Sequence, residues 1–145
     1  MQITHLDGRG LVAAVVRTIG FRHKGAHDLV TNGLYLDLRY VLRNPADDPA
    51  MRYLTGLHGR VYAHVLATPG APELIARTAR QLRALADEVP LGRLAFLTVV
   101  CQGGRHRSVA VGQAVARSLW SSWEGAYGVE VEHCHIDEPV LPPSA

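Results

Sequence analysis

The stretch Leu94–Val111, LAFLTVVCQGGRHRSVAV, limits the possible folds more than any other part of this chain. Leu94 to Val100 is an apolar run rich in β-branched and aromatic residues, the pattern of a strand buried on both faces of a parallel sheet. Gly103-Gly104 signals a turn, and from His106-Arg107-Ser108 the pattern predicts a helix reaching about Ser122. A strand, a glycine turn and a helix N-terminus in succession form an anion cradle. The free N–H groups converge there, and the helix dipole favours negative charge. Arg107 adds a planar fork of donors matched to a phosphate.

The spacing has a second meaning. Cys101 and Arg107 stand six positions apart, with Gly104 between them and Ser108 after them. This C-x-x-G-x-x-R-S pattern is that of cysteine-dependent phosphatases, in which a thiolate lies beneath a phosphate held by arginine. Such chemistry would use Cys101, Arg107 and an acid to protonate the leaving group: Asp37, or else Asp47 or Asp48. None of the three occupies a recognisable acid loop. A small buried cysteine at a strand end is the plainer account of Cys101.

The remaining chain supplies the rest of an α/β domain. Leu11–Ile19 reads as a second central strand, and Leu34–Tyr40 as a strand with Leu34, Leu36 and Leu38 on one face and Asp37 and Arg39 on the other. Asp37 and Arg39 either pair with each other or, if that face is buried, belong to a site. Arg22 and His23 follow a strand C-terminus, the edge where ligands collect in such sheets. Residues 41–57 carry Pro45, Pro49 and Gly56. Long irregular stretches of this kind are uncommon unless they bind something. Two helices follow, Gly59–Ala67 and the amphipathic Glu73–Val89, and a last strand spans Val129–Ile136. His133 and His135 share a face without an evident third ligand, so neither a metal nor another cofactor is expected. The fold expected is a single-domain three-layer α/β sandwich over residues 1–137. Its sheet is mainly parallel with about four to five strands, and 138–145 form a flexible tail.

With 48% hydrophobic and 19% charged residues the 145-residue chain is globular in composition. Its formal charge of +2 is too mild to prove a nucleic-acid partner. Two cysteines in no disulfide framework favour a reducing compartment, and no run reaches the length of a membrane span. A soluble cytoplasmic protein is expected.

Gly20-Phe21-Arg22-His23, Leu36-Asp37-Leu38-Arg39-Tyr40, Asn44-Pro45, Asp48-Pro49, Leu54-Thr55-Gly56-Leu57 and Cys101-Gln102-Gly103-Gly104-Arg105-His106-Arg107-Ser108 occur in this order. Together they resemble the C-terminal domain of the RapZ-type (YvcJ) RNase adaptor proteins, from about Leu11 to about Ile136. The resemblance implies a partly phosphofructokinase-like fold, standing here without the P-loop domain, and a homodimer. It implies a sensor of glucosamine-6-phosphate that presents a small RNA to an RNase. It places Cys101, Gly103, Gly104, His106, Arg107 and Ser108 at the phosphate, with Asp37, Arg39, Thr55 and Gly56 lining the pocket from other loops. Gln102, Arg105, Arg22 and His23 complete the expected ligand set. The departures are Gln102, where the family usually has threonine, Ala46-Asp47, where it has an aromatic or histidine pair, and the loss of its basic C-terminal end. Fewer lysines and arginines release fewer counterions, which weakens the case for RNA. The preferred expectation is a non-catalytic binding module for a phosphorylated small molecule. An RNA-binding module using Arg22, Lys24, Arg77, Arg80 and Arg105 is one alternative, and a cysteine phosphatase is the other.

Overall fold

In the computed structural model, which describes residues 1–143, the apolar run after Leu94 forms an interior strand, next to the central one, of a five-stranded sheet. Its strands are β1 (Gln2–Leu6), β2 (Val12–Gly20), β3 (Leu34–Asp37), β4 (Ala95–Cys101) and β5 (Gly128–His133). Their spatial order is β1-β5-β2-β4-β3, and all neighbours are parallel except the edge strand β1, which is antiparallel to β5. β2 and β4 are covered on both faces, so apart from Arg17, Thr18 and Thr98 their residues are apolar on both.

Three helices, α1 (Gly59–Leu66), α2 (Ala71–Glu88) and α3 (Arg107–Ser122), pack on one face of this sheet. α3 lies against β2, β4 and β5 with α1 and α2 against it, which is why it is buried almost all round from Arg107 to Ala116. Gly112 permits this contact: a Cβ there would come within 2.5 Å of Thr18 Cγ2. α2 is amphipathic, turning Ile75, Thr78, Ala79 and Leu82 inward and Arg77, Arg80 and Arg83 outward.

The other sheet face is covered more thinly. Ala26 and Leu29, from a short 3-10 turn, pack on Ile19 and Val100. Arg17 ties this segment down, donating from Nη1 to the Leu29 carbonyl at 2.9 Å and to Thr31 Oγ1 at 2.7 Å. Its Nε pairs with Glu132 at 2.8 Å. The three-layer α/β sandwich is therefore asymmetric: helices, sheet, and a thin covering segment.

That asymmetry positions the site. The chain leaves β2 toward the thin face and leaves β4 toward the helical face. Where two adjacent parallel strands send their connections to opposite sides, a crevice opens beyond their carboxyl ends. Here it opens beyond Gly20 and Cys101. Among the described residues, no helix is long and apolar enough to cross a membrane.

Two strands end earlier than their sequence pattern implies. β3 stops at Asp37; Leu38 N–H still reaches the Val100 carbonyl at 2.7 Å, but the chain then turns, with Leu42 at φ 64°. β5 stops at His133, because the chain bends after Cys134 donates to the Thr18 carbonyl. His133 and His135 consequently face different partners.

His133 is fully buried, between Thr18 Oγ1 (2.8 Å from Nδ1) and Gln113 Oε1 (3.1 Å from Nε2). A neutral ring with its proton on Nε2 satisfies both contacts. Burial pushes its pKa down to about 4. The unfolded chain takes up this proton near pH 6.5 and the folded one only near 4, so stability is complete above 6.5 and declines as pH falls toward 4. The expected loss across that window is about 3 kcal/mol. Urea melts at pH 7.5 and 5 check it: His133→Gln should show a flatter pH dependence than wild type, whatever its baseline stability.

Candidate functional site

The Gly103-Gly104 turn is locked against the end of β2. Gly104 has φ +70°, and a Cβ on it would come within 2.8 Å of Gly20 Cα. A Cβ on Gly20 would in turn collide with the Gly103 carbonyl group and lie 2.7 Å from Gly104 N. Phe21 N–H and Arg22 N–H donate to the carbonyls of Cys101 and Gln102, at 2.9 and 3.1 Å. His23 Nε2 donates to the Gly103 carbonyl at 2.9 Å, while His135 Nδ1 accepts from Gly20 N–H at 2.8 Å. The two rings stack at 4.6 Å. His135 is therefore unprotonated at Nδ1, and burial, followed by the nearby His23, lowers its pKa. Two histidines thus buttress the turn from behind.

Cys101 and Arg107 are both nearly inaccessible, at 3% and 4% exposure. The Cys101 thiol donates to Ser108 Oγ at 3.1 Å, and Gly104 N–H donates to Cys101 Sγ at 3.2 Å. Arg107 Nη1 donates to the carbonyls of Leu38, Arg39 and Val41 at 3.0–3.2 Å. Its Nε is buried and has no partner among the described residues. A buried charged donor left unpaired is costly, and it marks a position that an acceptor would occupy favourably. The N-cap residue of α3, His106, makes no side-chain cap. Its Nε2 instead donates to the Arg52 carbonyl at 3.0 Å, and burial lowers its pKa. The first N–H groups of α3 are thereby left open beside Arg107.

These groups line a cavity of about 520 Å³, within the range of small-ligand sites. Of the residues singled out from sequence, Arg22, Cys101, Gln102, Gly103, Arg105, His106 and Arg107 line it. His23, Gly104 and Ser108 stand behind it and hold its floor. Arg105 is fully engaged: Nε donates to the Leu54 carbonyl, Nη2 to Tyr53, and Nη1 to Ile136 and Glu138. It clasps the loop before α1 to the C-terminal segment.

Four of the expected residues lie away from the cavity wall. Asp37 and Arg39 pair with each other at 2.8 Å, and Arg39 stacks over Phe21 at 3.9 Å. The Arg39 hydrogen bonds hold the Asp37 carboxyl below its usual range. A carboxylate so held has no proton to donate near neutrality, which counts against it as the acid of a phosphatase. Arg39 instead borders a second, more open depression of about 550 Å³ that shares Asn44, Asp47 and Arg107 with the first. Thr55 Oγ1 accepts from Leu57 N–H at 3.3 Å. Gly56 packs on α3, where a Cβ would come within 2.7 Å of Ala110 N.

Other walls were not in the ligand set expected from sequence: Asn44, Ala46, Asp47, Arg52, Tyr53 and residues 139–143, although the resemblance puts Ala46 and Asp47, as departures from the family, near the pocket. The first five fall in the irregular stretch 41–57, whose length was their signal. Nothing in the tail's composition indicated that it reaches the site. The expectation of a flexible tail also covers Ser144 and Ala145, which lie outside the described residues.

A family model described as the RapZ C-terminal domain matches residues 12–137. The chain belongs to the RapZ C-terminal domain family. Among curated RapZ-family relatives, a protein named nucleotide-binding protein from Rubrobacter xylanophilus is 38% identical over 129 residues, covering 88% of this chain and 39% of its own length. A protein so named from Thermus thermophilus is 36% identical over 146 residues, covering 92% and 51%. One from Streptomyces avermitilis is 36% identical over 126 residues, covering 86% and 39%. This RapZ-type domain thus spans about two-fifths to one half of the relatives it matches. The match includes the cradle from Cys101 to Ser108 and the loop 41–57 that faces it.

Proposed function

We propose that this domain is a non-catalytic binding module for a phosphorylated small molecule, with a sugar phosphate such as glucosamine-6-phosphate as the leading ligand. The observation that carries this reading is the buried Arg107, whose Nε lacks a partner among the described residues, at the uncapped start of α3. A phosphate there would accept charge-assisted hydrogen bonds from Arg107 and from the first N–H groups of the helix. Gly103 leaves open space for the ligand's close approach. The names of the relatives, and the resemblance to sugar-phosphate sensors, agree with a phosphate-bearing ligand.

A thermal-shift panel tests it, with glucosamine-6-phosphate, glucosamine, other sugar phosphates, nucleotides and inorganic phosphate. A ligand at a hundred times its dissociation constant stabilises by about 2.7 kcal/mol, several degrees for a domain of this size. One sugar phosphate raising Tm, with glucosamine inert, supports the reading; no shift with any phosphate at millimolar concentration ends it. Turnover of an aryl phosphate that disappears in Cys101→Ser would replace it with the phosphatase alternative. A gel shift with steep salt dependence would favour RNA instead.

A further inference from the structure

Residues 139–143, Pro-Val-Leu-Pro-Pro, line the cavity although they follow the last strand, β5. The chain is pinned just before them. Ile136 is fully buried, and the Asp137 carboxylate takes the Met1 ammonium at 3.1 Å. Arg105 Nη1 holds the carbonyls of Ile136 and Glu138, each at 3.3 Å. Arg105 itself lines the cavity, so this clasp fixes where the segment enters the site. Past Glu138 the segment makes no hydrogen bond among the described residues, and Pro139, Pro142 and Pro143 have no N–H to satisfy. Val140 and Leu141 are half-buried, yet neither packs in the hydrophobic core. Both instead border the cavity, bringing aliphatic surface to a site whose other walls include Arg22, Arg52, Arg105 and Arg107.

We propose that residues 139–143 are a strap that sets the size of the ligand: Val140 and Leu141 pack on the body of a small phosphate ester, and the strap leaves no room for a body as large as a nucleoside. This rests on the phosphate reading above and concerns only the part of the ligand beyond the phosphate. The phosphate itself is held by Arg107 and the start of α3, and neither depends on the strap. A sugar ring presents C–H faces that lose water favourably against aliphatic side chains. The prolines restrict the strap's conformations, so little freedom is lost when it covers a ligand. A nucleoside would have to push the strap aside, giving up those contacts and the enclosure. The same segment thus rewards a small body and penalises a large one.

Calorimetric titration of inorganic phosphate, glucosamine-6-phosphate and adenosine monophosphate tests it. The proteins are wild type, the double variant Val140→Gly with Leu141→Gly, Leu141→Ala, and the off-site control Leu91→Ala at a fully exposed position. The two glycines remove both side chains and free the strap while keeping the whole chain. Wild type and Leu91→Ala are expected to prefer the sugar phosphate to the nucleotide tenfold or more. The double variant should bind inorganic phosphate within twofold of wild type, which also shows that the cradle is folded. It should bind glucosamine-6-phosphate at least fivefold more weakly and the nucleotide no more weakly than wild type does, with Leu141→Ala between. A wild type that binds the nucleotide as tightly as the sugar phosphate, an unchanged preference in the double variant, or an equal loss of all three probes overturns the strap and leaves the phosphate reading intact. No binding of any of the three to wild type overturns both.

Discussion

Arg107→Ala should abolish phosphate-dependent stabilisation and also lower the protein's own stability by about 2–4 kcal/mol. The two losses have different origins. Nη1 holds the carbonyls of Leu38, Arg39 and Val41, where the chain turns away from β3; without it three acceptors lose their donor. The ligand effect comes from the other side of the same guanidinium, where Nε has no described protein partner. Urea denaturation of the free protein measures the first, and the ligand-induced change in Tm, taken against each variant's own baseline, measures the second. Arg107→Lys separates charge from geometry. An ammonium keeps the charge but cannot serve the carbonyls and a phosphate with a planar fork, so both effects should be intermediate. An alanine variant that keeps the full ligand shift would show that the phosphate sits elsewhere.

The second large effect distinguishes two adjacent glycines. Gly104→Ala should cost about 3 kcal/mol or more, because φ +70° strains an L-residue and because the new Cβ meets the backbone of Gly20, which cannot yield cheaply. Gly20→Ala strikes the same contact from the opposite side, so the two substitutions should not be additive. Gly103→Ala has neither problem. A Cβ there meets nothing within 4 Å, and stability should change by no more than about 0.5 kcal/mol. Its methyl would still occupy space at the cavity wall, so phosphate affinity should fall although the fold does not suffer. Chemical denaturation and a phosphate titration of the three variants decide the matter. Equal destabilisation by Gly103→Ala and Gly104→Ala would contradict the geometry of the turn.

Much of this architecture is written locally. The apolar runs at Val12–Gly20 and Ala95–Cys101, the helical spacing of Ile75, Thr78 and Leu82, and the breaker at Gly103-Gly104 each act within a few residues. Periodicity and turn chemistry report such interactions directly. The alternation in Leu34–Tyr40 correctly sorted its leucines to the core, whereas it left open whether Asp37 and Arg39 pair with each other, as they do, or belong to a site.

The strand, the glycine turn, the helix and the arginine that follows the turn could all be read from the amino-acid order, because each is a short-range choice of backbone conformation. Everything that makes them a pocket is long-range. His23 reaches the Gly103 carbonyl across 80 positions, His135 reaches Gly20 N–H across 115, and Arg107 reaches Leu38 across 69. The wall carrying Asp47, the closing stretch 139–143 and the clasp made by Arg105 depend on which loops the sheet order brings to one edge. That order is set by the summed burial of both sheet faces, a property of the packed chain that no local pattern of residues encodes.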